Sequence, residues 1–169
     1  MLYKTKKFLT NVRDAIVNPK SFFKKIVADG DLEESMLRAF IYGLIGGVLV
    51  LAFRLIGGAT ITIGSVFSAL IIVPVLAVAL LFIMGGLLML ISEITGGERD
   101  WEIAIKGLAS IFFMYPVILL LNSLAFNCWS VWIISVCVDT WVLYMLYCIS
   151  VYCMHGDRKN IMIVIGILA

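Results

Sequence analysis

Long stretches without a charged residue dominate this chain of 169 residues. They include residues 39–53, 55–92 and 107–138, which are 15, 38 and 32 residues long. An α-helix rises 1.5 Å per residue, so about 20 apolar residues are needed to cross a hydrocarbon core about 30 Å thick. The pattern therefore predicts several membrane-spanning helices.

The composition excludes the main classes of water-soluble protein. Hydrophobic residues make up 63% of the chain and charged residues only 14%, with a mean hydropathy of +1.10. A soluble domain has about 45–50% apolar and about 25% charged residues, and one of roughly 150 residues buries only about 68–70% of its unfolded surface. A soluble monomer, a disordered chain and a disulfide-rich secreted module are thereby excluded. The formal net charge of +2 gives no argument for nucleic acid as a partner.

We predict an all-α fold, a polytopic transmembrane helix bundle of four to five spans with an N-terminal amphipathic segment. The predicted domains are a cytoplasmic segment over residues 1–35 and a transmembrane bundle over residues 36–169. The spans fall at about 36–57, 69–94, 107–124 and 129–154, with a partial span at 160–169. The breaker-rich residues 57–68 are expected to form a loop, and Pro74 to kink the second span. The last stretch is too short to cross unaided, so it is either a half-span or the start of a fifth span cut by the chain end.

The distribution of Lys and Arg predicts the orientation of the bundle. Of the 13 Lys and Arg residues, only Arg54 lies toward the side of the connections at 58–66 and 124–128, which contain none. Cytoplasmic loops carry an excess of these residues. The amino terminus is therefore predicted to be cytoplasmic, in the plasma membrane or, if the protein is prokaryotic, the inner membrane.

The first 35 residues are predicted to form a basic amphipathic segment. Asn18-Pro19 is a preferred helix start, and Phe22 and Phe23 belong to an apolar stripe flanked by lysines. Two interpretations remain open, and they are compatible with each other. In the first, the helix lies on anionic lipid headgroups. In the second, its phenylalanines pack under the bundle and the lysines only set the topology.

Two local patterns belong to the first predicted span. Asp31 and Glu34 have the spacing of a capping box at its start. Gly43, Gly46 and Gly47 recur within it, and small residues let helices approach closely in a membrane. We expect these glycines to serve helix packing rather than a hinge.

Two charged residues interrupt the apolar regions. Asp139 lies about ten residues into its span, near the bilayer midplane, and Arg54 is the basic residue of the outer half. A centred carboxylate costs about 2.5–3.5 kcal/mol and usually faces the bundle interior with a partner. We hypothesise that Arg54 and Asp139 form an intramembrane pair. The alternative is a protonated Asp139 that is hydrogen-bonded to Thr140 or Asn122.

The sequence contains no catalytic, cofactor-binding or metal-binding constellation. Its cysteines, at positions 128, 137, 148 and 153, lack CxxC spacing, and His155 is the single histidine. The usual zinc ligand sets therefore cannot be assembled. Walker, GxSxG and HExxH motifs are also missing. We expect no cofactor and no enzymatic activity.

A series of short motifs is more informative in its order than any motif is alone. The motifs are Asn18-Pro19-Lys20-Ser21-Phe22-Phe23, Thr95-Gly96-Gly97-Glu98-Arg99-Asp100-Trp101, Tyr115-Pro116, Trp132 and His155-Gly156. The series resembles the Ypt-interacting-protein (Yip) domain family, in a short prokaryotic form. The family shows a Pro and Phe motif, a Gly-Gly loop after the second span, a third-span proline, and a fourth-span tryptophan before a short inner loop. The likeness covers about residues 18–169.

The resemblance implies a five-span helical domain with a cytoplasmic amino terminus and a non-enzymatic scaffold, trafficking or assembly role. Eukaryotic members are associated with Rab-type GTPases and with the shaping or trafficking of secretory membranes. GTPase binding is not carried over, because this chain lacks their Asp-Leu-x-Gly-Pro type motif. The expected partners are the lipid bilayer, anionic headgroups at the N-terminal segment, and other membrane proteins or a second copy. The alternative function is a small permease or transporter subunit using Arg54 and Asp139.

Overall fold

A computed structural model describes residues 13, 17–26, 31–125 and 129–168, which contain helices and no strand. The helices are α1 (Pro19–Ile26), α2 (Leu32–Ile56), α3 (Ile63–Ile94), α4 (Trp101–Ile111), α5 (Tyr115–Ala125), α6 (Trp129–Tyr152) and α7 (Arg158–Leu168). The helical stretches long and apolar enough to cross a bilayer are Leu32–Ile56, Ile63–Ile94, Trp101–Leu124 and Val131–Tyr152. The predicted all-α bundle is confirmed. Much of the predicted 1–35 segment lies outside the described residues.

Helix α2 shows how the bundle is organised for lipid. Its buried face consists mostly of small residues, namely Ser35, Ala39, Tyr42, Gly43, Gly46 and Gly47. Its exposed face carries large apolar residues, namely Leu37, Phe40, Ile41, Leu44, Ile45 and Val48. This arrangement reverses that of a soluble helix, because lipid tails solvate large apolar side chains and helix association depends on close packing.

The small face of α2 allows two other helices to approach it closely. A Cβ atom on Gly43 would lie 2.7 Å from Pro74 Cα of α3, and one on Gly46 would lie 3.3 Å from Pro116 Cα of α5. Helix α2 accordingly packs mainly on α3 and α5. The glycines serve packing, as the sequence predicts.

Pro74 and Pro116 each change the local winding of a spanning stretch. Proline lacks an N–H, and its ring collides with the carbonyl four residues earlier. The turn before Pro74 is π-helical over Ser68–Ile72, and the turn before Pro116 is a 3-10 helix over Phe112–Met114. The altered winding lets each stretch continue past its proline.

The second span begins earlier than the sequence predicts. Residues 57–68 were expected to be loop, but α3 starts at Ile63. The reason is a capping box: Ser65 N–H donates to Thr62 Oγ1 at 3.2 Å, and Thr62 N–H donates to Ser65 Oγ at 3.0 Å. These bonds satisfy backbone groups that a helix start leaves unpaired.

The capping box expected at the start of α2 is not formed. Asp31 is the N-cap residue, but its side chain accepts no capping hydrogen bond. Glu34 instead pairs with Arg38 one turn later, at 2.7 Å. This i, i+4 ion pair directs the Glu34 carboxylate toward the next turn of the helix and away from the N-cap backbone.

Candidate functional site

One end of the bundle brings together most of the motif residues identified in the sequence. Helix α1 meets there the α6–α7 connection, which is hydrogen-bonded to the α3–α4 connection. We call this end the junction and define it as residues 19–23, 92–100 and 153–157. It contains the motif residues Pro19, Phe22, Phe23, Gly96 and Gly97. Of the other motif residues, Pro116 lies on α5 against α2, and Trp132 lies on α6.

The Gly96-Gly97 loop is a tight turn held by the last turn of α3. Gly96 has a φ of 79°, in the left-handed region that favours glycine. The Gly97 N–H donates to the Ser92 carbonyl at 2.8 Å, and the Ser92 hydroxyl donates to the Glu98 carbonyl at 2.9 Å. Ser92 and Thr95 are buried, so the hydrogen bonds that Ser92 makes to the turn lie inside the protein.

Backbone hydrogen bonds join the two connections of the junction. The Glu98 N–H donates to the Met154 carbonyl at 2.7 Å, and the Asp157 N–H donates to the Thr95 carbonyl at 3.1 Å. A Cβ atom on Gly97 would lie 2.5 Å from the Met154 oxygen. Glycine is therefore required where the two backbones meet.

His155 turns the second connection of the junction. Its φ of 54° is left-handed, a conformation that histidine adopts more often than most residues other than glycine. Its Nδ1 atom lies 3.3 Å from Glu98 Oε1, and both side chains are exposed. Such an exposed pair adds little stability. Within the described part of the chain, no group of three or more His, Cys, Asp or Glu residues is placed to hold a metal ion.

Asn18 caps the start of helix α1, as the sequence predicts. The Asn18 side chain accepts a hydrogen bond from Ser21 N–H at 3.3 Å, and its carbonyl accepts one from Phe22 N–H at 3.1 Å. Pro19 follows at the first helical position and is buried. The start of α1 is thus defined by a side-chain cap and by a residue that needs no N–H partner.

The two phenylalanines of α1 pack into the bundle. Phe22 is 8% exposed and Phe23 is 0% exposed, and their rings meet edge to face with centroids 5.2 Å apart. Lys20, between them and the cap, is exposed. Of the two interpretations of this segment, the structure supports packing of the phenylalanines under the bundle.

Cys153 ties α1 to the second connection. Its thiol donates to the Phe23 carbonyl at 3.4 Å, and the residue is 1% exposed. Burial raises the pKa of the Cys153 thiol to about 12, with a smaller contribution from Cys148. The thiol is therefore protonated and shielded, which suits a structural role rather than a nucleophilic one.

The structure does not bring Arg54 and Asp139 together. Arg54 lies in the last turn of α2, Asp139 lies within α6, and no ion pair joins these two exposed residues. The expected pair fails because α5 packs against both helices, which have little direct contact with each other. The alternative partners are engaged elsewhere: Thr140 donates to a backbone carbonyl of α6, and Asn122 accepts from a serine of α6.

Several residues that build the junction do not stand out in the sequence. Ser92 and Thr95 end an apolar helix just before the Gly-Gly pair, and this position is the one available signal. Cys153 reads as a small hydrophobic residue, which does not predict its contact with Phe23. The Met154 carbonyl is a backbone group, and residue type carries no information about it.

Comparison with protein-family models shows which family the chain matches. The model of the Yip1 domain family matches residues 13–169, nearly the whole chain. A comparison with curated proteins found no match, and a comparison with solved structures also found none. The matched range contains all the helices of the described bundle and the junction.

Proposed function

The chain belongs to the Yip1 domain family, and from that premise we propose that it is a non-enzymatic membrane scaffold or trafficking and assembly protein that acts through the junction. It is a multi-pass integral membrane protein, and the part of the chain that the structure describes has four apolar helices of spanning length. The observation that carries the proposal is the docking of α1, which buries Phe22 and Phe23 and leaves Lys20 exposed at the bundle end.

The junction combines a rigid base with a charged, exposed rim. Hydrogen bonds join its two connections, and the buried rings of Phe22 and Phe23 pack in one cluster with Cys153 and Met154 of the second connection. Glu98, Arg99, His155 and Arg158 remain exposed around this base. A rigid surface with exposed charges can select a partner by electrostatic complementarity without an ordering cost.

We infer from the basic residues that the junction faces the cytoplasm. The described Lys and Arg residues in the junction or in helix turns near it are Lys20, Arg38, Arg99, Lys106, Arg158 and Lys159. Arg54 lies near the opposite end of α2. The positive-inside rule then places α1 on the cytoplasmic leaflet, where each nearby lysine contributes about 1 kcal/mol of attraction to anionic headgroups.

The transporter alternative has no observation in its favour. It depends on Arg54 and Asp139 acting as a pair, and they lie on helices with little mutual contact. A proton or ion relay normally needs several ionisable groups in series.

The orientation is tested by labelling cysteines from outside intact cells with a membrane-impermeant maleimide. In a chain whose native cysteines are replaced, an Arg99→Cys variant should label only after the membrane is opened, and a Thr60→Cys variant should label directly. Both positions are exposed in connecting loops, so they form a matched pair. Labelling of position 99 in intact cells would overturn the proposed orientation.

The scaffold role is tested by photo-crosslinking in native membranes. A photoreactive residue at position 99 should capture a discrete set of membrane proteins, and one at position 60 should not. A companion flux assay in proteoliposomes compares the native chain with Asp139→Asn. Equal capture at the two positions, or a solute flux that Asp139→Asn abolishes, would contradict the scaffold role.

A further inference from the structure

Asp139 is a polar group that the packing of the described bundle does not account for. It lies ten residues from Trp129 and 13 residues from Tyr152, which places it about 15 Å and about 20 Å from the two ends of α6. Its carboxyl group is therefore deep in the hydrocarbon region whichever way the chain is threaded. Yet the residue is exposed on the bundle surface. A carboxyl group facing lipid at this depth is costly, and such groups normally have a partner.

The surroundings of Asp139 indicate what kind of partner fits. Trp132, Val136, Asp139 and Leu143 are separated by four, three and four residues, so they form one stripe along α6. Trp132 is 55% exposed and Val136 is 44% exposed, while Leu143 is partly buried. Alternating steps of four and three are the spacing of a seam between two helices that cross at a small angle. We call this stripe the α6 seam.

A second copy of this chain would bring a polar group, its own Asp139, to the same depth in the bilayer. Copies inserted with the same orientation can be related by a two-fold axis along the bilayer normal, and each residue then lies at the same depth as its equivalent. On a parallel seam near such an axis, Asp139 meets its own equivalent. A single polar residue in an otherwise apolar seam also fixes the register of the two helices.

We propose that two copies of this chain pair through the α6 seam, with the Asp139 carboxyl groups hydrogen-bonded to each other across the two-fold axis. One carboxyl group carries a proton and donates it in the hydrogen bond, and the other accepts. The seam lies at mid-membrane and the junction lies at the end of the bundle. The pairing therefore goes beyond the proposed scaffold role, and an experiment that contradicts one of the two proposals does not contradict the other.

The pairing is tested by energy transfer between donor- and acceptor-labelled full chains in liposomes, measured as the lipid-to-protein ratio rises. Interhelical hydrogen bonds in membranes have modest strength. We expect Asp139→Leu to weaken self-association by roughly 3- to 30-fold, and Asp139→Asn, which keeps a donor and an acceptor, to retain it. Thr140→Val is the matched control, because the Thr140 hydroxyl bonds to its own helix.

A second measurement locates the interface. Position 136 lies on the seam, and position 134 lies on a different side of α6. Val136→Cys and Ile134→Cys are each introduced in a chain whose other exposed cysteines are replaced. An added oxidant should link two copies through position 136 and not through position 134. A native chain that stays monomeric at every ratio, an Asp139→Leu chain that associates like the native one, or linking through position 134 alone would each overturn the proposal.

Discussion

Replacing Gly97 by alanine should open the junction. The added Cβ atom would lie 2.5 Å from the Met154 oxygen and 2.9 Å from Gly156 Cα, so it would meet backbone on the opposite connection. Backbone cannot yield as a flexible side chain can. The two connections must therefore separate, which breaks the hydrogen bonds from Glu98 to Met154 and from Asp157 to Thr95.

The size of the effect follows from these contacts. Two hydrogen bonds contribute about 0.5–1.5 kcal/mol each, and overpacking costs about 1–3 kcal/mol. We expect the free energy of opening the junction to fall by about 2–6 kcal/mol. Since each 1.4 kcal/mol is a factor of ten, the open state should become roughly 30 to 20,000 times more populated.

Cys153 provides the assay for this opening. Its thiol is buried beneath α1 at the junction, so its reaction with a maleimide requires local opening. The reaction rate is measured in proteoliposomes on a chain whose cysteines at positions 128, 137 and 148 are alanine. Gly64→Ala is the control, because a Cβ atom there would lie no closer than 3.8 Å to Thr62 Oγ1. The reasoning is refuted if Gly97→Ala and Gly64→Ala label at the same rate while both keep native helicity.

Three further perturbations test other parts of the fold. Phe23→Ala should destabilise the docked α1 by about 3–5 kcal/mol, because it removes a fully buried ring, and should lower the thermal midpoint of helical circular dichroism more than Phe23→Leu does. Burial raises the pKa of Cys153 from 9.0 to about 12, so the contribution of its thiol to the free energy of unfolding should be complete below about pH 9 and lost as the pH rises toward 12. A loss of stability between pH 7 and 9 that occurs in the native chain and not in Cys153→Ala would contradict this. Thr62→Val should cost about 1 kcal/mol at the start of α3 and speed amide exchange at Ser65, while leaving Cys153 labelling unchanged.

Features that depend on the local chain could be predicted from the sequence. Charge-free stretches of this length require lipid, and the helix is the element that satisfies its own backbone there, so the all-α bundle followed directly. The Asn18-Pro19 start of α1 was also predictable, because a helix cap is set by the residues that form it. The Gly96-Gly97 loop was expected from the family resemblance, and the left-handed φ of Gly96 explains the glycine there. The predicted packing role of Gly43 and Gly46 holds for a similar reason, since a residue without a side chain permits close approach.

Features that depend on the rotation of each helix and on its neighbours were decided by the tertiary structure. Helix α6 is apolar on every side, so periodicity does not reveal which face is buried, and the expectation that Asp139 faces the interior toward Arg54 is wrong. The same holds for α1, where the structure shows that Phe22 and Phe23 pack against the bundle, which the amphipathic pattern alone does not decide. In lipid, hydrophobicity says only that a side chain avoids water. Which apolar face meets protein and which meets lipid is decided by shape, when small residues on one helix admit the backbone of another.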